Sequence, residues 1–331
     1  MVVLLHSAPA FGAVERYVVA IAGALGRDAL LVHPGIEQFE RLGIRTVVVE
    51  RPTVRTLAGL LRRERAEIAH VTDVWPQAVA AARLARVPRV LVTHHTPELP
   101  RRDNLPGRAW QQLGWALKPE VIYTSEADRS TDGRRPSHVI PLGIDVERFG
   151  AAVPALGGDA PIVGTVGRLE PQKDQATFID AVPAVVARRQ DVRFVIAGEG
   201  TLKPQLAARA RGYPVELLGH RDDVPEVLTS LAVFVSTSRF EGLGVAVLEA
   251  QAAGVPVVAT PVGGVAETVI DGETGLVVRP GDPDALAQRI IELLEDSALA
   301  HRLTTEARRR VRERYTESRM IEETLALYGW T

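Results

Sequence analysis

The 331-residue sequence contains no cysteine and no apolar run long enough to span a membrane. The missing cysteine excludes disulfide scaffolds, thiol nucleophiles and thiolate zinc sites. A membrane-spanning helix needs about 20 apolar residues, whereas the apolar start of this chain gives way at once to proline, glycine and charge. That start does not fit a secretory signal, so we expect a soluble, cytoplasmic protein.

An excess of either charge is also missing. The 39 Lys and Arg residues nearly balance the 41 Asp and Glu residues, for a formal net charge of −2. Since nucleic-acid binding draws on positive charge, we expect no nucleic-acid partner. Lysine is scarce as well, because only Lys118, Lys173 and Lys203 are present. Codon usage explains this scarcity, but a lysine kept at a motif position also fits a role as a compact charge on phosphate.

What is present is a regular alternation of strand-like and helical segments. In the first half, short β-branched runs predict strands near residues 1–6, 29–34, 45–50, 67–72, 89–94, 120–125 and 138–143, with helices near 14–25, 53–65, 76–86 and 105–117. The alternation restarts at residue 161 and ends in helices near 283–295, 297–313 and 316–328. Continuous apolar runs indicate strands covered on both faces, which favours parallel sheets.

A stretch rich in glycine, alanine and proline separates the two series. We interpret residues 146–160 as a linker between an N-terminal domain, 1–145, and a C-terminal domain, 161–315. The fold class is therefore α/β, with two Rossmann-like domains whose parallel sheets face a cleft. The apolar spacing in 316–331 fits a last helix returning to the first domain, and it fits ordinary C-terminal packing as well. Ligands in such sheets bind beyond the carboxyl ends of the strands.

Two cations follow the first strand of the second half. Arg168 and Lys173 lie five residues apart, across the turn into a helix. Arginine can fork onto one phosphate while lysine neutralises the next and the helix N-terminus adds its dipole, which predicts a diphosphate clamp. The alternative is a solvated loop with ordinary charges.

Two glutamates flank the start of a later helix. Glu241 precedes it and Glu249 lies within it, with Gly242, Leu243 and Gly244 between. Glycine lets backbone N–H groups approach a ligand closely, and two carboxylates can accept hydrogen bonds from two parts of one polyhydroxylated ligand. The alternative is a helix cap plus a solvated helix face.

Five segments of the second half form one pattern: GRLEPQK, VIAGEG, ELLGHRDDVPEVL, FEGLGVAVLEAQAAGVPVVAT and PVGGVAETVIDGETGLVV. In this order they resemble the retaining GT-B glycosyltransferases of family 4, and the similarity covers nearly all of residues 141–328. The resemblance implies a GT-B fold and a nucleotide-diphosphate sugar as the donor substrate, with no metal and no other cofactor.

The same resemblance implies roles for the residues of the second half. Arg168 and Lys173 would hold the donor diphosphate and stabilise the leaving nucleoside diphosphate. Glu249 would bind the ribose, and Glu241 would lie beside the donor sugar. The remaining expected contacts are the backbone of Gly242, Leu243 and Gly244 at the sugar, and His220 or Arg221 at the base.

In the first half, the segment from Phe11 to Arg16 is similar to the family's glycine loop, with Gly12 passing close to the diphosphate and sugar. Phe11 stands where the family often has a second glycine. His95 matches the family's histidine at the donor sugar, although a histidine at a strand end can also be a cap or a cleft lining. Two further departures from the family pattern are Leu142, in place of an asparagine, and Asp174, in place of a glycine.

The resemblance implies a hexosyltransferase in which the acceptor hydroxyl attacks on the face that the leaving diphosphate occupies. A sugar-nucleotide epimerase and a non-catalytic sugar-nucleotide-binding protein are the alternatives. A dinucleotide-dependent dehydrogenase is disfavoured, because residues 7–12 lack the G-x-G-x-x-G turn.

The acceptor is not identified by the sequence. Residues 101–118 mix cations with two tryptophans, Trp110 and Trp115. The favoured interpretation is a helix whose tryptophans pack on the sheet. The alternative is a peripheral contact with lipid at the inner face of a membrane.

Overall fold

Short runs of valine, leucine and isoleucine form the strands of two parallel sheets, as the alternation predicts. The computed structural model describes residues 1–7, 12–41, 43–72, 75–95, 115–132 and 136–330. It divides into two compact units, 1–143 with 317–331, and 144–316. The predicted α/β class with two parallel sheets is confirmed. No helix among these residues is both long and apolar enough to cross a membrane.

The first unit contains a seven-stranded parallel sheet in the order β3-β2-β1-β4-β5-β6-β7. Its strands are β1 Val2–Leu5, β2 Ala29–His33, β3 Thr46–Val48, β4 Ile68–Val71, β5 Arg89–His94, β6 Glu120–Tyr123 and β7 Ser137–Val139. Its described helices before the second unit are α1 Ala13–Leu25, α2 Glu37–Glu40, α3 Val54–Arg63, α4 Pro76–Ala85 and α5 Glu126–Asp132. Every residue of β1, β2 and β4 is buried, so both faces of the sheet are covered.

The second unit contains a six-stranded parallel sheet in the order β10-β9-β8-β11-β12-β13. Its strands are β8 Ile162–Val166, β9 Arg193–Ala197, β10 Val215–Gly219, β11 Val233–Ser236, β12 Val257–Ala259 and β13 Leu276–Val277. Its helices are α6 Val146–Ala151, α7 Gln175–Arg188, α8 Lys203–Arg209, α9 Val224–Thr229, α10 Val245–Ala253, α11 Val265–Thr268, α12 Pro283–Glu295 and α13 Ser297–Arg314. A core of aliphatic residues with Phe178 and Phe194 joins β8, β9 and β11 to α7 and α12.

The linker predicted over 146–160 is wrong in its first part. Residues Val146–Ala151 form α6, which the Asp145 side chain caps by accepting a hydrogen bond from Arg148 N at 3.1 Å. Val146 and Phe149 are buried, and α6 packs against α10. The division between the units falls between Gly143 and Ile144. A helix of six residues, fewer than two turns, is too short for its period to emerge from a sequence rich in glycine and alanine.

The last helix, α14 Glu317–Tyr328, belongs to the first unit and packs against α1. It buries Met320, Thr324 and Tyr328. Arg89 of β5 donates a hydrogen bond to the Leu327 carbonyl at 2.6 Å. The first unit is therefore built from both ends of the sequence.

Candidate functional site

The loop after β8 carries the two predicted phosphate-binding cations, and it is packed tightly against the loop after β9. A Cβ atom on Gly198 would lie 1.9 Å from the Gly167 carbonyl oxygen, and one on Gly200 would lie 2.4 Å from the Leu169 oxygen. Leu169 N donates to the Glu199 carbonyl at 2.8 Å. The glycines of the VIAGEG segment therefore allow this close packing, a physical reason that the sequence pattern did not reveal.

Lys173 and Glu241 meet, although 68 residues separate them in the chain. The lysine Nζ forms an ion pair with Glu241 Oε1, and the Ser238 hydroxyl donates to the same oxygen at 2.6 Å. The Lys173 side chain is 21% exposed and that of Glu241 is 9% exposed, so a ligand can still reach the lysine. Both line a cavity at the carboxyl ends of β8 and β11, together with Thr165, Val166, Gln175, Phe234, Ser236, Thr237, Ser238, Gly244, Ala246 and Val247.

Arg168 lies at the start of the same loop and is exposed. Gln175 holds its backbone by donating to the Arg168 carbonyl at 2.9 Å. The Arg168 guanidinium donates a long hydrogen bond, 3.4 Å, to Gln172 Oε1. The backbone is thus anchored while the charged group stays in solvent, which suits an arginine that meets an anionic ligand.

The glycine-rich turn from Glu241 to Gly244 packs against a second pair of glycines, Gly263 and Gly264. A Cβ atom on Gly263 would lie 1.9 Å from the Glu241 carbonyl oxygen, and Gly264 N donates to the Gly242 carbonyl at 2.6 Å. Gly244 has φ +76° and caps the N-terminus of α10. The PVGG segment therefore positions the turn, a role that sequence reasoning missed.

Glu249 and Arg221 lie elsewhere in the second unit and do not line this cavity. Glu249 is buried in α10. Arg221 forms a two-point ion pair with Asp223, with nitrogen–oxygen distances of 2.7 and 2.5 Å. This hydrogen bonding by Arg221 lowers the pKa of the Asp223 carboxyl. His220 pairs with Asp222 at 3.1 Å. The predicted roles of these residues at the ribose and base stay predictions.

Gly12 and His95 belong to the first unit. Gly12 is the residue before α1, and a Cβ atom on it would lie 3.3 Å from Glu15 Oε2. The other oxygen of that carboxylate lies 3.0 Å from His6 Nε2, and both side chains are buried. Gly12, the described end of the glycine loop, therefore lies next to a buried carboxylate, that of Glu15, which in turn faces the buried His6 ring. Phe11 lies outside the described residues.

His95 follows β5 and is 6% exposed. Neither of its ring nitrogens has a hydrogen-bond partner among the residues that the structure describes. The Tyr17 ring meets it edge-on, with centroids 5.2 Å apart. Burial lowers the pKa of His95 to about 3, with smaller contributions from His70 and other histidines. The ring is therefore neutral at pH 7 and has one donor and one acceptor available to a ligand.

A buried polar network lies beside His95. His70 in β4 places Nδ1 2.5 Å from the Tyr328 hydroxyl and Nε2 2.6 Å from the Thr93 hydroxyl, which lies 3.3 Å from the Tyr17 hydroxyl. Burial lowers the pKa of His70 to about 3 and raises that of Tyr17 to about 12. The network connects α14 to β4, β5 and α1. Sequence reasoning missed it, and the histidine within an apolar strand was the available signal.

The segment 101–118 is described only from residue 115 onward. Trp115 packs against the core of the first unit, and its ring lies 6.3 Å from that of His94. For this tryptophan the structure agrees with the packing interpretation. Residues 101–114, with Trp110 and most of the helix predicted over 105–117, lie outside the described residues.

Comparison with known proteins identifies similar families and chains. The family model described as Glycosyl transferases group 1 matches residues 160–296, and Glycosyltransferase Family 4 matches residues 14–148. A GDP-mannose-dependent monoacylated alpha-(1-6)-phosphatidylinositol monomannoside mannosyltransferase of Corynebacterium glutamicum is 32% identical over 286 residues, which cover 76% of this chain and 74% of the relative. A glycogen synthase of Mycobacterium tuberculosis is 30% identical over 293 residues, covering 82% and 70%.

Solved structures agree with this fold. The structure of Anabaena Alr3699/HepE in complex with UDP and glucose superposes with a TM-score of 0.87 and 21% identity, over 99% of each chain. At this identity the likeness establishes the fold.

Proposed function

Because the chain belongs to the group 1 glycosyltransferases of family 4, we propose that it moves a hexosyl unit from a nucleotide-diphosphate sugar to a hydroxyl acceptor, with retention of configuration. Its GT-B fold and its activity as a glycosyltransferase follow from the family. The observation that carries the finer proposal is the cluster of Lys173, Glu241 and Ser238 in the cavity beyond β8 and β11.

In the proposed reaction, the bond between the anomeric carbon and the phosphate oxygen of the donor breaks through an oxocarbenium-like state. The acceptor oxygen bonds to the same face of the sugar, and the acceptor proton passes to the departing phosphate oxygen. Lys173 and Arg168 stabilise the negative charge on the nucleoside diphosphate, which is the role that a metal ion would otherwise fill. The proposal therefore requires no metal.

Glu241 has a different task in this proposal. Its Oε1 is already engaged by Lys173 and Ser238, so we assign it to hydrogen bonding with the donor sugar rather than to covalent attack. When Lys173 turns to the diphosphate, the oxygen it leaves becomes an acceptor for a sugar hydroxyl. Binding of the donor therefore exchanges one ion pair for contacts with two parts of the same ligand.

The donor is best identified by a thermal-shift panel of UDP-, GDP- and ADP-sugars, since a ligand that binds the native state raises the melting temperature. A relative named as GDP-mannose-dependent, and neighbour structures solved in complex with UDP and with UDP-glucose, support including GDP- and UDP-sugars. We expect one nucleotide series to raise the melting temperature with EDTA present. A shift that requires a divalent cation would contradict the metal-independent proposal.

Product analysis by mass spectrometry then tests the reaction. A retaining transferase gives a glycosylated acceptor with the anomeric configuration of the donor. A changed sugar nucleotide without acceptor would indicate an epimerase, and binding without hydrolysis or transfer would indicate a non-catalytic binding protein. Either result would overturn the proposed reaction.

The acceptor is proposed only as a hydroxyl group on a lipid, glycan or small molecule. The relative from Corynebacterium glutamicum is named for an acylated phosphatidylinositol mannoside, which favours testing lipid acceptors first. Co-sedimentation with anionic vesicles at low salt tests the membrane contact that is the alternative interpretation of residues 101–118. Absence of binding would retire that contact and leave the transferase proposal intact.

A further inference from the structure

Asp174 adopts a backbone conformation that favours glycine. It lies between the loop after β8 and helix α7, with φ +47° and ψ +44° in the left-handed region. An aspartate at a helix N-terminus ordinarily accepts hydrogen bonds from backbone N–H groups of the first turn, but this side chain makes no such bond. Capping therefore does not explain why an aspartate is present.

The Asp174 carboxylate is engaged by side chains instead. Arg239 Nε donates to Oδ2 at 3.0 Å, and the Thr177 hydroxyl donates to the same oxygen at 2.9 Å. Asp174 is 7% exposed, whereas the Arg239 side chain is 62% exposed. Arg239 lies two residues before Glu241, and Asp174 follows Lys173 directly. The pair therefore links the chain beside one functional residue to the chain beside the other.

Neutral hydrogen bonds run along the same line. The Thr237 hydroxyl donates to the carbonyls of Lys173 and Asp174 at 3.0 and 2.9 Å, Arg239 N donates to the Gln172 carbonyl at 2.8 Å, and Gln172 Nε2 donates to the Phe240 carbonyl at 3.0 Å. We call the contacts between residues 172–174 and 237–240 the loop seam. None of them uses the Lys173 ammonium or the Glu241 carboxylate.

We propose that Asp174 and Arg239 are positioning residues, whose ion pair keeps the two loops in register while Lys173 and Glu241 exchange each other for the donor. The inference rests on the proposed function, because the exchange occurs only if a nucleotide sugar binds there. Before binding, the Lys173–Glu241 ion pair also joins the loops. Once the donor has broken that pair, the contacts of the loop seam remain beyond the paired strands β8 and β11, so the Asp174–Arg239 pair contributes most to loop register in the complex.

Three variants test this: Asp174→Gly, which suits the left-handed backbone but lacks the carboxylate, Arg239→Met, and the double variant. The control is Arg209→Met, which removes the ion pair of Arg209 with Asp180 on α7, at nitrogen–oxygen distances of 2.6 and 2.5 Å. The Arg209 side chain is 50% exposed, a fraction similar to the 62% of Arg239. The melting temperature of the free protein, the dissociation constant of the nucleoside diphosphate that the wild type binds, and kcat/KM for the donor are measured for each.

We expect both single variants to melt within about 3 °C of the wild type, because the Arg239 end of the pair is 62% exposed and the neutral hydrogen bonds of the loop seam remain. Their kcat/KM should fall by about tenfold or more, since small misplacements of reacting groups are costly. The double variant should lose no more than either single one, because both remove one interaction. Arg239→Lys, which keeps the charge, should recover part of the loss.

If kcat/KM in all three variants equals that of Arg209→Met, the proposal is overturned. It is also overturned if the loss of kcat/KM in the double variant is the product of the two single losses. Activity loss matched by an equal loss of stability in the free protein would also overturn it, because the role would then be structural. A wild type that binds no nucleoside diphosphate would instead refute the proposed function itself, so the two failures are distinguishable.

Discussion

The two units bring opposite kinds of polar chemistry to the carboxyl ends of their strands. In the second unit, the groups are charged and remain partly accessible, with Lys173 held by Glu241 and Arg168 in solvent. In the first unit, the histidines at β4 and β5 are neutral and buried, with His70 hydrogen-bonded to Tyr328 and His95 unpartnered among the described residues. The same kind of sheet therefore carries charged groups beyond β8 and β11 in the second unit, which we call the charged edge, and uncharged hydrogen-bonding groups at β4 and β5 in the first, which we call the neutral edge.

The physical reason for this difference is desolvation. A charged group is stable at a strand end only when a partner or water compensates it, which Glu241 and solvent provide in the second unit. A buried imidazole avoids the same cost by staying neutral, and its nitrogens then suit hydroxyl partners. A charged edge of this kind suits phosphate groups, and a neutral edge of this kind suits hydroxyl groups.

The largest test of this comparison removes the charge. Lys173→Ala should lower kcat by about 10²- to 10³-fold, the scale found when one group that stabilises developing negative charge is removed. Lys203→Ala is the matched control, since Lys203 pairs with Glu199 in an exposed contact at 2.5 Å. Steady-state kinetics and melting curves are compared for both variants. Near-native turnover in Lys173→Ala would contradict the charged-edge assignment.

The second test displaces the turn that carries Glu241. Gly263 has φ +53°, and an added Cβ would lie 1.9 Å from the Glu241 carbonyl oxygen. Gly263→Ala should therefore lower the free energy of unfolding by about 2 to 3 kcal/mol and weaken donor binding. Gly272→Ala is the control, with φ +73° but open space around the added atom. Equal effects in denaturant titrations of the two variants would show that strain alone, without the contact, decides the outcome.

The third test uses pH to separate the units. Burial holds the pKa of His70 and His95 near 3, whereas an exposed histidine titrates near 6.5. The unfolded state therefore binds more protons between those values, so the first unit keeps its full stability above pH 6.5 and loses it as the pH falls. Each histidine contributes a slope of about 1.4 kcal/mol per pH unit within that window.

Hydrogen exchange of the full chain from pH 7 to 4.5 measures this slope at β4 and β5. His70→Gln, which retains two hydrogen-bonding groups, should reduce the slope by the contribution of one histidine. The exposed His301→Gln provides the control. A slope in His70→Gln that equals that of the wild type would refute a neutral, buried His70.

The smallest test concerns the connection to α14. Tyr328→Phe removes the hydroxyl that lies 2.5 Å from His70 Nδ1 and leaves a buried nitrogen without this partner. The expected loss of stability is about 1 kcal/mol. Tyr213→Phe, at a side chain 43% exposed, should change almost nothing. Identical exchange protection of β4 in both variants would mean that the network does not stabilise the first unit.

Much of the fold was predictable because strand and helix periods are local. The helices predicted over 283–295 and 297–313 correspond to Pro283–Glu295 and Ser297–Arg314. The helix Val146–Ala151 was not predictable, since the reason for its two buried side chains is packing against α10, a helix distant in the sequence. The glycines at 198 and 263 were visible in motifs, but their reason, contact with the backbone of another loop, was not.

The sequence by itself determined the alternation of strands and helices, the family, and the residue types available at each strand end, because these follow from order and spacing along the chain. Only the tertiary structure decided which of those residues meet. It paired Lys173 with Glu241 across 68 positions and His70 with Tyr328 across 258. Such distances are closed by the packing of parallel strands and the return of α14. Desolvation then keeps the buried histidines of the first unit neutral, whereas a carboxylate partner and solvent compensate the charge of Lys173 in the second.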